Sequence, residues 1–164
     1  MTTDAPSFNL ITQPWLPVQY RDGTEKELSL LEVFKQAPLL RRLVGDVPTQ
    51  EFALLRLLLA ILHDAIGGPE DSDEWAELWT QDEAEQQLPF DCIASYLEQY
   101  YHRFDLLHPT TPFFQVADLH TQKNDVFSLD RIVADVPNGE LFFTMRARGV
   151  DRLRFAEAAR WLVH

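Results

Sequence analysis

Histidine and acid residues come together at two places in the chain, His102 and His108 on either side of Asp105, and His63 next to Asp64. A metal centre needs three or four converging ligands. The spacing here matches no zinc pattern, and His102 and His108 fall on different expected elements, so polar and capping roles are expected of them. The single cysteine, Cys92, excludes an internal disulfide framework and a cysteine-based zinc site. It falls in an amphipathic stretch, where a small buried side chain is expected rather than a nucleophile. Asp71, Asp73, Glu74 and Glu77 are carboxylates on one expected helix. General acid–base work needs a pocket that shifts one pKa, whereas a helical acidic run is ordinarily a solvated face. Gly67-Gly68-Pro69 reads as a helix stop, not as a phosphate-binding loop. No catalytic constellation emerges, and neither a metal nor a cofactor is expected.

The remaining chemistry lies in arginine. The chain carries a net charge of −12, yet Leu141 to His164 holds five arginines against two acids, a balance of +3 that leaves −15 for the first 140 residues. An acidic body argues against autonomous nucleic-acid binding, because neutralising phosphates needs a basic surface. Arg146, Arg148, Arg152 and Arg154 could form a solvated charge face or a cationic helix end. They could equally meet phosphates, whose oxygens match the guanidinium fork, and Gly149 would let backbone approach a ligand. Both readings stand.

The elements that must position these groups follow from pattern. An apolar fraction of 46% in 164 residues is enough for one domain with a sizeable core. No basic start leads into an apolar leader and no apolar run is long enough to span a bilayer, so a soluble cytoplasmic protein is expected. Trp15 to Tyr20 and Lys26 to Leu28 flank an Asp22-Gly23 turn and read as a hairpin. Ser29 with Glu32 forms a capping box for a helix over Leu30 to Gln36, ended by Pro38. Asp46 to Pro48 reads as loop, with Thr49 capping a helix over Gln50 to Ile66. That helix is apolar on nearly every side, and a central place in the core is expected for it. Asp71 opens an acidic helix carrying Trp75 and Trp79. A further helix runs from Phe90 to Arg103, where Tyr96, Tyr100 and Tyr101 are expected to pack. The proline-rich Phe104 to Val116 is extended or turned, with Phe113-Phe114 as a plug against the core. Ser128 caps a short helix to Val136, Pro137-Asn138-Gly139 turns, Leu141 to Arg148 is strand or loop, and Arg152 to Val163 begins a last helix.

Several segments in order resemble one family. They are Phe8-Asn9-Leu10-Ile11 through Trp15-Leu16-Pro17-Val18, Leu28 through Phe34, Phe52 through Ala60, Arg103 through Pro109 with Pro112-Phe113-Phe114-Gln115, and Glu157 through His164. Together they are similar to the CasA family, the large subunit of the type I-E CRISPR Cascade complex. The resemblance implies an α+β fold, mainly helical with a small N-terminal β-hairpin or sheet. It makes residues 1–164 a partial N-terminal domain, truncated before the family's C-terminal four-helix bundle. It implies a non-catalytic subunit of an RNA-guided antiviral DNA-surveillance complex that helps recognise the protospacer-adjacent motif (PAM) and recruits a helicase–nuclease. Partners would be other Cascade subunits, the 5′ handle of the guide RNA, target double-stranded DNA and that effector, with no membrane. The family's PAM-reading elements would lie beyond His164. A mobile family loop maps to Asn138 through Arg154. The resemblance thus points to Asn138, Gly139, Phe142, Phe143, Arg146, Arg148, Arg152 and Arg154 as contacts to nucleic acid or a neighbouring subunit. Either phenylalanine would be the apolar anchor. The rival expectation is a stand-alone protein-interaction domain whose arginines bind an acidic partner.

Overall fold

The computed structural model describes residues 6–74, 76, 89–133 and 150–164. Strand β1 (Leu16–Tyr20) pairs antiparallel with β2 (Glu25–Leu28), with Leu16 opposite Leu28 and Gln19 opposite Glu25. The turn between them needs Gly23, whose φ of 89° is costly for any residue with a Cβ. A third strand, β3 (Leu40–Leu43), lies antiparallel on the other side of β1 with an irregularity between Gln19 and Tyr20, giving the order β2-β1-β3. Sequence reading placed the hairpin and did not assign β3.

Helix α1 (Leu30–Gln36) begins with the expected reciprocal cap. The Glu32 amide donates to Ser29 Oγ at 3.3 Å, and the Ser29 amide donates to Glu32 Oε2 at 2.9 Å. Helix α2 (Pro48–Ile66) starts earlier than expected. Val47 is its N-cap, and Pro48 occupies a first-turn position where its missing N–H costs nothing. The helix ends at Gly67 in the left-handed region, φ 81°. Asp71 opens the next helical turn as anticipated, accepting from the amides of Asp73 and Glu74 at 2.9 Å each. Trp75, Glu77 and Trp79 lie outside the described residues. Helix α3 (Phe90–Gln99) stops short of Arg103, and Tyr101–Phe104 tighten into a 3₁₀ turn. Ser128 is followed by one 3₁₀ turn, Leu129–Arg131. Helix α4 (Phe155–Val163) closes the described chain.

The core joins sheet and helices. Trp15, Leu16, Val18, Leu30, Leu54, Ile93, Leu97 and Ala159 are fully buried or nearly so. Trp15 is also satisfied as a donor, its indole Nε1 reaching the Leu10 carbonyl at 3.0 Å. Phe113 packs edge-on to Trp15 and stacks on Phe104, so half of the expected plug is real. Phe114 is not part of it. Its φ of 54° turns it out to solvent, where it is 59% exposed.

Two other expectations fail. Cys92 is exposed, because Ile93 and Leu97 set the buried face of α3 and Cys92 is a residue off that line. Helix α2 is buried only along Gln50, Leu54, Leu58 and Ile61, while Phe52, Leu55 and Leu59 are exposed.

Candidate nucleic-acid interface

The arginines at the C-terminal margin divide into two kinds. Arg152 and Arg154 precede α4, Arg154 in extended backbone, and both are exposed. Arg152 makes no ion pair among the described residues. Arg154, the N-cap of α4, brings Nη2 to 3.5 Å from Glu27 Oε1 on β2. Arg160 differs, at 3% exposed. Its Nη1 donates to the Trp15 carbonyl at 3.0 Å and to Glu27 Oε1 at 3.2 Å, and its Nε lies 3.5 Å from Asp46 Oδ2. Arg160 therefore cannot serve the basic margin to which the sequence count assigned it. It locks α4 against β2 and the approach to α2.

This lock was missed from sequence, although one signal was present. Arg160 sits between Ala159 and Trp161 and four residues after Ala156, all buried in α4. A charge on the small-residue face of an amphipathic helix must be paired. Gln50 was also missed. It is fully buried, and its Oε1 accepts from the Asp46 amide at 2.9 Å, beside the same ion pair.

Of the other residues singled out, Asn138, Gly139, Phe142, Phe143, Arg146 and Arg148 lie outside the described residues. What flanks them is described. Asp130, in the 3₁₀ turn, accepts a hydrogen bond from the Val150 amide, which brings together the chain before residue 134 and after residue 149. Nearby, the Arg131 guanidinium lies 3.6 Å from the centre of the Phe127 ring, a cation–π contact.

The histidine–acid groups take structural roles. His108 Nδ1 accepts from the Thr111 amide at 3.0 Å and closes the proline-rich turn. Asp105 clips the N-terminal segment, accepting from Ser7 Oγ at 2.5 Å, the Phe8 amide at 3.1 Å and the Leu107 amide at 2.9 Å. Burial pushes its carboxyl up, but those donors and the nearby His108 outweigh it and hold the pKa below the ordinary value. Asp64 pairs with Tyr96, whose phenol is pushed up to about 12 by burial first and by the hydrogen bond and charge of Asp64 next. Among the described residues no three His, Cys, Asp or Glu side chains converge to hold a metal ion. No described helix is long and apolar enough to cross a membrane.

Residues 9–164 match the family described as CRISPR-associated protein Cse1. The chain belongs to the Cse1 family, also named CasA. A curated family relative, CasA/Cse1 of Thermus thermophilus, is 33% identical over 159 residues, covering 95% of this chain and 30% of that protein. The crystal structure of Cse1 from Thermobifida fusca superposes with a TM-score of 0.89 at 99% identity, covering 99% of this chain and 30% of that one. A chain of a solved CRISPR RNA-guided surveillance complex shares the fold, with a TM-score of 0.78 at 22% identity over 97% of this chain and 34% of its own. The chain thus spans about 30% of the length of the Cse1 relatives it matches. The expected α+β architecture, helices around a small antiparallel sheet, is the one found in Cse1 structures.

Proposed function

We propose that this chain is part of the N-terminal domain of a non-catalytic subunit of type I-E Cascade, acting in the cytoplasm. In that setting it helps an RNA-guided complex engage target double-stranded DNA, contributes to PAM recognition and supports recruitment of a helicase–nuclease. The observation that carries this is family membership over residues 9–164. The shared fold of a chain in a CRISPR RNA-guided surveillance complex supports it.

The charge distribution fits the same role. Sequence is read in such complexes by base pairing with the guide, so the protein needs only local contact with polynucleotide. An acidic body with exposed Arg152 and Arg154 at one margin provides that. Asn138, Gly139, Phe142, Phe143, Arg146 and Arg148 complete the proposed contact. The arginines meet phosphates of the guide handle or a neighbouring subunit, and a phenylalanine anchors the loop.

The test uses the family-length protein with Arg146 and Arg148 both changed to alanine, and measures docking to a guide-bound Cascade core across salt concentrations. Weaker docking with a shallower salt dependence is expected. Unchanged affinity and slope would remove the arginines from the interface. Failure of the unsubstituted protein to join the core would remove the Cascade assignment.

A further inference from the structure

Strand β3 carries one residue more than the stretch of β1 it pairs with. Val18 lies opposite Leu43 and Gln19 opposite Arg42, but Tyr20 lies opposite Leu40, so Arg41 is an extra residue bulged out of the ladder. Directly opposite residues share a face of a sheet. Leu40 and Leu43 therefore lie on the Tyr20 and Val18 face, and both pack against the core. In a regular strand, residues three apart would point to opposite faces. The bulge thus leaves Arg41 and Arg42 side by side against the single residue Gln19, and both are exposed. Adjacent guanidinium groups repel each other unless an anion neutralises them. The chain holds 26 acids, yet none forms an ion pair with Arg41 or Arg42 among the described residues. The acids of the surrounding sequence are engaged elsewhere. Asp22 accepts from the Thr24 amide, Glu25 from Gln19 Nε2, Glu32 from the Ser29 amide and Glu51 from the Gly45 amide, while Glu27 and Asp46 face Arg160.

We propose that Arg41 and Arg42 form a second polynucleotide contact, a paired guanidinium clamp on the phosphodiester backbone. The clamp is separate from the C-terminal margin, because β3 and β2 are opposite edges of the sheet and Arg154 sits on Glu27 of β2. Phosphate oxygens match the two guanidinium forks and demand no strand register. A peptide added as a further strand is disfavoured, since the bulge breaks the regular ladder that strand addition needs. Phosphates of the guide RNA and of the target DNA offer the same chemistry, and the choice between these two sources rests on the Cascade role.

The experiment changes both residues in the family-length protein, Arg41→Gln with Arg42→Gln, and measures two affinities across salt concentrations. One is docking to a guide-bound Cascade core, the other binding of a guide-matched DNA duplex by the assembled complex. About a tenfold or larger loss, with the salt slope shallower by between about one and two units, is expected in one of them. A loss in docking before DNA is added assigns the phosphates to the guide, and a loss confined to the duplex assigns them to the target. Unchanged affinity and slope in both measurements overturn the proposal. Weaker docking with a slope change well below one unit overturns it in favour of an acidic protein surface, which releases no condensed counterions. Self-association of the variant, with both affinities unchanged, overturns it in favour of arginines that only guard a strand edge. A second variant, Arg41→Lys with Arg42→Lys, keeps the charges and should keep the unsubstituted slope. A lysine pair that loses slope as the glutamine pair does would show a structural effect and overturn the clamp. Failure of the unsubstituted protein to join the core is a different result, which overturns the Cascade role and this contact with it.

Discussion

Arg160 Nη1 donates to the main-chain carbonyl of Trp15 at 3.0 Å, across 145 positions of sequence. The same nitrogen meets Glu27, to which the exposed Arg154 also reaches. Two arginines of one margin therefore converge on one carboxylate with different burdens. Arg160→Ala leaves the buried Trp15 carbonyl without its donor and removes the ion pairs from Arg160 to Glu27 and Asp46, a loss of about 3 kcal/mol in stability. Arg154→Ala removes only a solvent-screened pair and should cost under about 1 kcal/mol. Denaturant melts of the two variants check the ordering, and equal losses would contradict the division.

For interface work, the same contrast predicts which residue changes salt dependence. Arg152→Ala and Arg154→Ala should each reduce the salt slope of docking to a guide-bound core by up to about one unit if each meets one phosphate. Arg160→Lys keeps charge but loses the planar fork, so it should perturb stability and leave the slope of the folded fraction unchanged. A slope change with Arg160→Lys at full folding would reassign that residue to the interface.

The parts of the fold legible in the sequence are those set by neighbours. Ser29 and Glu32 are three residues apart and define a cap, and Gly23 supplies the conformation its turn demands. Strand β3 is different. Leu40-Arg41-Arg42-Leu43 has no two-residue alternation, because its arginines are exposed while its leucines are half-buried, and only pairing with β1 makes it a strand. The start of α2 was misread because Thr49 is a good cap by type, whereas Pro48 already has the helical φ one residue earlier. At the candidate interface, the arginine count was visible, but the burial of Arg160 depends on Trp15, Glu27 and Asp46, all distant in sequence. Composition cannot separate an arginine that faces solvent from one held inside.

Asp105 gives a prediction in pH. Its carboxyl is held below the ordinary value of 3.8, so the native state favours its ionised form. The stabilisation is present above about pH 4 and is lost as pH falls through the lower, folded value. Asp105→Asn should lower stability at neutral pH, by about 1–2 kcal/mol, through weaker acceptance from Ser7, Phe8 and Leu107. The gap between the native protein and the variant should narrow below pH 4. Denaturant midpoints at pH 7 and pH 3 check both points, and a gap that stays constant would show that ionisation of Asp105 is not involved.

Tyr96 titrates in the opposite sense. Burial and Asp64 push its phenol up to about 12, so the native state keeps the proton longer than the unfolded chain, whose value is 10.0. The resulting stability is complete below pH 10 and is lost as pH rises toward 12. Of the four tyrosines, Tyr96 should therefore ionise late in a tyrosinate absorbance titration of the folded protein. Tyr96→Phe should remove that late component, and Asp64→Asn should move it earlier by removing the repelling charge. A titration in which Asp64→Asn leaves the late component in place would mean that burial alone sets the Tyr96 value.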